Sequence, residues 1–426
     1  MSVTTNVIEM IKTGVLDEKL LDIYADSTKL KYQKERYISA VKKYEEIFGV
    51  EEISIYSAPG RSEIGGNHTD HQKGEVLVAS VNVDAIAIAK KTEESLIQVV
   101  SDGYDLITIS TQNLEAKKEE EGTTISLIKG VLSKISQNGY KIGGFKAYIT
   151  SDVLIGAGLS SSAAFETVIG TIVSGMYNDM KISPVEIAMI GQYAENVYFG
   201  KPCGLMDQMA SSVGNLVHID FADEKKPVIE KVECDFQKYG YSLCITDTKS
   251  SHADCTPEYA AVPREMKQVA NVFGKEVLRE VSKEEILGNI SKIRGVAGDR
   301  AMLRAIHFVL ENERVKQEVN ALNTDDFEGF LQGVKASGDS SFKYLQNVYM
   351  NHDIKHQNVS VALAASDAIL GKNGVSRVHG GGFAGTIQAF VKNEVVTEYQ
   401  SFMNGIFGAG ACNVYMIRKY GGMKVL

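Results

Sequence analysis

The first fifty residues alternate apolar and charged positions with a helical period. Leu20, Leu21, Ile23 and Tyr24 form one short apolar group. Tyr32, Tyr37, Ile38, Val41, Tyr44 and Ile47 form another at helical spacing, so residues 12–49 read as helices with solvated charged faces. The period then changes. Glu52 to Tyr56 reads as a strand followed by Ala58-Pro59-Gly60, and residues 76–89 read as strands joined by a short turn. Residues 96–101 and 105–110 continue as strands, Glu115 to Glu121 is a charged surface segment, a helix is predicted over 124–136 and a strand over 145–151. In the second half the pattern predicts a strand at Tyr241–Asp247 and helices over 257–273, 299–327 and 358–370. Strands follow near 385–392 and 412–418.

This mixture supports an α+β fold better than a regular βαβ series, and no internal repeat is evident. A charged stretch from Asp220 to Lys226, followed by Pro227, marks a boundary near 215–230, giving expected domains of 1–220 and 221–426. The length of 426 residues accommodates two such domains.

Composition narrows the class. With 45 Lys and Arg against 54 Asp and Glu, the formal charge of -9 argues against a partner held by bulk attraction to a phosphate backbone, so no nucleic-acid partner is expected. No run of 18 uncharged apolar residues occurs, and no membrane partner is expected. Met1 to Asn6 is mostly polar, unlike a secretory leader, and the five cysteines include no CxxC pair. A reduced, cytoplasmic, monomeric protein is the expectation.

Gly156-Ala157-Gly158-Leu159-Ser160-Ser161-Ser162-Ala163 follows an apolar strand candidate and precedes the helical pattern Phe165, Val168, Ile169, Ile172 and Val173. Small residues let backbone N–H groups close around an anion at the helix start, and three hydroxyls add hydrogen bonds or reach a metal ion. No Lys follows the glycines, so this is not a P-loop with GKS or GKT. The alternative is a serine cap after a tight turn. A second cluster, Gly60-Arg61 through Glu63, Asn67, His68, Thr69, Asp70 and His71, offers the alternating donors and acceptors a polyol needs. A third, Gly200 to Gln208, holds Asp207 behind a sharp turn, either as a helix cap or as an acidic group near a reacting hydroxyl.

Taken in order, these segments resemble the galactokinases, within the superfamily of galactose, homoserine, mevalonate and phosphomevalonate kinases. The resemblance runs from about residue 36 to 415 and includes Pro202-Cys203-Gly204-Leu205-Met206-Asp207-Gln208, Asp247 to Tyr259, Arg300 to Val315 and Gly380-Gly381-Gly382-Phe383-Ala384-Gly385. It implies a two-domain small-molecule kinase fold with the active site in the interdomain cleft. It also implies transfer of the ATP γ-phosphoryl group to the anomeric hydroxyl of a small sugar, with ATP and Mg²⁺ as cofactors. By family position Asp207 and Arg61 are catalytic, and Asn67, His68, Asp70, Gly204 and Tyr259 bind sugar. Gly156, Gly158, Leu159, Ser160, Ser161, Ser162 and Ala163 hold the nucleotide, and Ser161, Ser162 and Glu195 contact Mg²⁺.

The chain departs from the family in places. The family loop reads Gly-Arg-Val-Asn-Leu-Ile-Gly-Glu-His-Thr-Asp-Tyr, whereas this chain reads Gly60-Arg61-Ser62-Glu63-Ile64-Gly65-Gly66-Asn67-His68-Thr69-Asp70-His71. Asn67 replaces a Glu that contacts the O6 region of the sugar, and His71 replaces a Tyr. Ser337-Gly338-Asp339 stands where the family has Ser-His, and His356-Gln357-Asn358-Val359 occupies the region of the family's Pro-Glu-Leu-Asp. The phosphoryl-transfer groups are retained while sugar choice is open. Galactose is the first expectation; the alternatives are galactosamine, N-acetylgalactosamine or another aldose, or a catalytically weak sugar sensor.

Overall fold

The structure, a computed structural model, describes residues 2–153, 158–201, 203–223, 226–250 and 255–426. After a short strand β1 (Ser2–Val3) come three helices, α1 (Thr4–Lys12), α2 (Asp17–Tyr24) and α3 (Leu30–Phe48). Helix thus begins at Thr4, ahead of the expected residue 12, because Val7 and Ile11 lie one turn apart and join Tyr37, Val41 and Tyr44 in one buried cluster.

The next segment contains β2 (Glu52–Gly65), β3 (Glu75–Lys91), β4 (Leu96–Ser101), β5 (Ile107–Ser110), α4 (Thr124–Gln137), β6 (Phe145–Ser151), α5 (Ser161–Tyr177), α6 (Pro184–Tyr193), α7 (Met206–Val213), β7 (Leu216–Asp220) and β8 (Val228–Val232). α6 opens on a capping box between Ser183 and Glu186 with Pro184 in the first turn, and it continues as a π-helical turn, Ala194–Phe199, that carries Glu195. The remainder holds β9 (Tyr241–Asp247), α8 (Thr256–Val272), α9 (Lys283–Gly288), α10 (Ile290–Ala297), α11 (Asp299–Asn323), α12 (Phe327–Ser340), α13 (Asn358–Leu370), β10 (Gly374–His379), β11 (Thr386–Lys392), α14 (Val396–Phe407), β12 (Cys412–Tyr415) and β13 (Met423–Lys424).

The α+β architecture expected from the pattern is the one observed. Among the described residues, one sheet runs β1-β2-β3-β6-β4-β5, with β13 on β2 and the β7–β8 pair on β3; a second runs β10-β11-β9-β12. Among the described residues only β4 and β6 pair in parallel within the first sheet. Leu243, Ile245 and Phe390 of the second sheet share an apolar core with Ile64 and Leu77 of the first.

Two strand expectations need correction. β2 does not stop at Tyr56 but passes through Pro59 to Gly65, absorbing the proline at a register shift between Pro59 and Arg61. A proline is tolerated at such a bulge because no ladder hydrogen bond is demanded of its nitrogen. Likewise β3 is one strand of 17 residues with no turn. It keeps β2 on one edge and changes partner on the other, from β7 at residues 75–79 to β6 at residues 85–91. Both faces are buried along nearly its whole length, which explains its continuous apolar run.

The long strands are clamped at Asp84 of β3, whose buried carboxylate accepts from Arg36 at 2.6 Å, Arg418 at 2.8 Å and Tyr24 at 2.8 Å. The N-terminal helices and the C-terminal segment are thereby tied to the strand that backs the site. Removing one partner of such a buried ionic cluster costs about 3–5 kcal/mol.

Candidate active site

The bulged end of β2 carries Arg61 and Glu63 into a cavity of about 170 Å³, small beside drug-sized pockets. Its walls are Arg61, Glu63, His68 and Asp70 from β2 and the following loop, Cys203, Gly204, Met206 and Asp207 around the start of α7, and Gly380 and Gly381 after β10. Residues from both halves of the chain therefore enclose it.

Arg61 is the centre of this arrangement. Its Nε donates to Asp207 Oδ1 at 2.6 Å, one NH group donates to the Gly158 carbonyl, and its backbone N–H donates to the Leu159 carbonyl at 3.0 Å. The second Asp207 oxygen accepts from Ser160 Oγ at 2.5 Å. Asp207 is thus not a helix cap: it sits inside the first turn of α7, and both its oxygens are turned to Arg61 and Ser160. Ser160 occupies the N-cap position of α5, but its hydroxyl is spent on Asp207 instead of the helix. Burial alone would raise the Asp207 carboxyl; the charge and hydrogen bond of Arg61, with that of Ser160, outweigh it and hold the group below its ordinary value. Gly158 has φ 69° and no room for a side chain, since a Cβ there would lie 2.6 Å from Thr386 Oγ1.

Asp70 faces Asp207 across the cavity, and burial together with that like charge pushes its carboxyl up to about 6. Gly204 makes room for it, because a Cβ at 204 would stand 2.1 Å from Asp70 Oδ2. His68 Nε2 lies 2.9 Å from the Gly381 carbonyl. Burial lowers its imidazole to about 4. The neutral ring therefore carries its proton on Nε2 and leaves Nδ1 as an acceptor.

Two of the expected sugar residues do not line this small cavity. Asn67 is fully buried and does not line the cavity. Its amide donates to Glu63 at 2.9 Å and to the Gly380 carbonyl at 2.7 Å, and its oxygen accepts from Asn347 at 2.8 Å and Ser341 at 3.2 Å. The backbone around it is held from α11, with Glu311 accepting from the Gly66 and Asn67 N–H groups and His307 Nε2 2.8 Å from the Asn67 carbonyl. Tyr259 lines an adjoining cavity of about 400 Å³ beyond Asp70 and donates to the Gly382 carbonyl at 2.7 Å.

A third cavity, of about 500 Å³, opens on the other side of the glycine and serine loop. Ser161 and Ser162 line it together with Tyr104, Leu127, Val153 and Phe165. Leu159 and Ala163 turn their side chains into the core, leaving only backbone to a ligand. Gly156, with Ala157, and Pro202 lie outside the described residues. Ser162 Oγ reaches Glu195 at 3.3 Å, and Glu195 also takes Lys201 at 2.9 Å and Gln208 at 2.8 Å. The same Gln208 amide bonds Glu166 at 3.1 Å, whose carboxyl is driven well above its ordinary value by burial and by Glu195.

The residue patterns did not reveal Glu63 or Arg377 as partners. Arg377 is fully buried and donates to Glu63 at 2.6 Å and to the Ile64 carbonyl at 2.6 Å. Glu63 was legible only as one polar residue in a cluster, and Arg377 sits in β10, far along the chain. The apolar wall of the third cavity carried no sequence signal, being assembled from scattered strand and helix residues.

Comparison with known proteins matches these parts. Residues 42–91 match the galactokinase galactose-binding signature and residues 126–215 match the N-terminal domain of GHMP kinases. The chain is 32% identical over 360 residues to a galactokinase of Glaesserella parasuis, covering 83% of this chain and 89% of that one. The chain belongs to the galactokinase family. A galactokinase of Actinobacillus pleuropneumoniae is 31% identical over 362 residues, covering 84% of this chain and 90% of that one. The crystal structure of Lactococcus lactis galactokinase complexed with galactose shares the fold with a TM-score of 0.77 at 23% identity, over 91% of this chain and 100% of that one. Methanococcus jannaschii mevalonate kinase shares it with a TM-score of 0.61 at 15% identity, over 86% and 98% of the two chains. This member of the galactokinase family is thus a phosphotransferase of the GHMP kinase fold that acts on a sugar. Among the described residues no helix is long and apolar enough to cross a membrane.

Proposed function

We propose that the chain transfers the γ-phosphoryl group of ATP to the C1 hydroxyl of galactose, giving galactose 1-phosphate and ADP. The observation that carries this reading is the Asp207 carboxylate, held by Arg61 and Ser160 at the seam between the sugar-sized cavity and the glycine and serine loop. The sugar occupies the smaller cavity with its C1 hydroxyl toward Asp207. As the bond from O1 to the γ-phosphorus forms, the bond from that phosphorus to the bridging oxygen breaks and its electron pair leaves with ADP. Asp207 accepts the hydroxyl proton. A carboxylate held below its ordinary value is a weak base, which suits a loose phosphoryl-transfer transition state in which the nucleophile surrenders its proton late. Arg61 neutralises charge gathering between Asp207 and the transferred group.

In this reading the nucleotide base lies in the cavity of Tyr104, Leu127 and Phe165, and the backbone of residues 158–163 holds the phosphates at the start of α5. Ser162 and Glu195, already within 3.3 Å, are hard oxygen donors suited to Mg²⁺, with Ser161 beside them. Phosphate and water would complete the shell of such an ion. When bound, Mg²⁺ neutralises phosphate charge; Lys201, now on Glu195, must share or yield that carboxylate. A division of labour near residue 220 follows, the earlier part supplying the catalytic groups and the later part the glycine wall.

A panel of galactose, galactosamine, N-acetylgalactosamine, glucose, mannose, arabinose and mevalonate, incubated with ATP and Mg²⁺ and read by NMR, tests the reading. Selective formation of galactose 1-phosphate is expected. Preference for another sugar would keep the mechanism and replace the substrate, and no turnover on any member by folded protein would overturn it.

A further inference from the structure

Glu63 lies on the cavity wall with only 2% of its surface exposed, yet nothing above gives it a task. Its two hydrogen bonds, from Arg377 at 2.6 Å and Asn67 at 2.9 Å, both fall on Oε1. Among the described residues Oε2 receives none, although it is the atom of this side chain left to face the cavity. Oε2 is not a sealed orphan but is open to the cavity, where water or a ligand hydroxyl can donate to it. The rest of the side chain is immobilised: Arg377 is itself pinned to the Ile64 and Val378 carbonyls, and Asn67 has every polar side-chain atom engaged. Such rigid support is what a selective hydrogen-bond acceptor requires.

Resting on the sugar-kinase reading, we infer that Glu63 is the specificity-determining acceptor of the sugar site, its Oε2 taking the proton of a substrate hydroxyl remote from the phosphorylated one. The carboxylate and the amide have in effect exchanged places along the loop. Where the family string has Asn and, four residues on, Glu, this chain has Glu63 and Asn67. In this chain the two side chains are bonded to each other, with the charge at position 63 on the cavity wall and the amide at position 67, away from it. Asn67 then positions Glu63 and does not touch the sugar. Burial pushes the Glu63 carboxyl up to about 7 against the pull of Arg377 and Arg61, so Oε2 accepts from a sugar hydroxyl in the ionised form that prevails above that value.

The test is steady-state kinetics of the whole protein, wild type and Glu63→Gln, on the preferred sugar and its singly deoxygenated analogues. A hydrogen bond to a charged group is worth enough that Glu63→Gln raises KM for the sugar about tenfold to hundredfold, with KM for ATP unchanged and kcat within a few-fold. In the wild type one deoxy analogue other than the 1-deoxy compound suffers a similar loss, and Glu63→Gln no longer distinguishes that analogue from the parent. Equal discrimination by both proteins, or a loss confined to kcat or to ATP, overturns the inference while leaving sugar phosphorylation intact. If wild-type protein phosphorylates no sugar, the underlying reading fails and the inference with it. Should Glu63→Gln not fold, a crystal structure of the wild type with sugar decides. A sugar oxygen within about 3.2 Å of Oε2 supports the assignment, and its absence overturns it.

Discussion

Arg61 and Asp207 are 146 residues apart in the chain and 2.6 Å apart in the fold. The contact joins the bulged end of β2 to the first turn of α7. Because Arg61 also binds the Gly158 carbonyl and Asp207 also binds Ser160, the same pair fixes the loop that leads into α5. The small cavity, the glycine and serine loop and the proposed proton acceptor are therefore one hydrogen-bonded unit.

Asp207→Asn is expected to lower kcat about 10²- to 10⁴-fold, the usual contribution of a positioned acid–base group, with a native circular dichroism spectrum. Ser160→Ala is the subtler probe. It removes one hydrogen bond from the ionised carboxylate, so the Asp207 carboxyl rises. The acidic limb of the pH profile of kcat/KM then moves to higher pH. An unmoved limb with unchanged kcat would remove Asp207 from the proton path.

Gly204→Ala places a methyl group 2.1 Å from Asp70 Oδ2. Asp70 must swing away from the cavity, and KM for the sugar rises roughly 10- to 100-fold, the scale of an ångström displacement at a binding group. KM for ATP stays the same. A uniform loss for both substrates would mean that the turn, and not Asp70, had been disturbed.

Asn67→Glu, which restores the residue type of the family at that position, is expected to destabilise this protein. One oxygen of the new, fully buried carboxylate would keep the Asn347 and Ser341 donors, but the other would face Glu63 and the Gly380 carbonyl, both acceptors. A loss on the order of 3 kcal/mol in urea unfolding follows from setting a second buried charge against those acceptors. The double variant with Glu63→Asn recovers part of it, because the loop again buries one carboxylate.

Glu318 of α11 is fully buried, and among the described residues neither of its oxygens has a hydrogen-bond partner. Burial, reinforced by the charge of Glu311, raises its carboxyl well above the ordinary value. The folded state therefore prefers the protonated form, and stability is lost as pH climbs from the unfolded value near about 4.3 toward the folded one. Glu318→Gln removes that loss. Its melting temperature should exceed that of the wild type by more at pH 8 than at pH 5; a constant difference would show that Glu318 does not titrate in this range.

The chain's own pattern determined a good deal. The periodicities placed α3, α5, α11 and most strands, since each depends on which residues one turn or one pleat apart must be buried. The spacing of small and hydroxyl residues at 156–163 marked either an anion-binding turn or a serine cap, and the clusters at 60–71 and 200–208 marked polar chemistry, because such residue types are rarely combined for packing alone. The tertiary structure decided what those residues touch. Only β3's change of partner from β7 to β6 made one strand of the apolar run expected to break. α11, Ser341, Asn347 and the glycine turn after β10, all arriving from far along the chain, seal Asn67 into the interior, and Arg377 of β10 joins Asn67 in holding Glu63 at the cavity wall. Local sequence sets backbone preference and the types of group available. Which of two neighbouring polar side chains is buried and which faces a ligand is set by partners the local pattern does not contain.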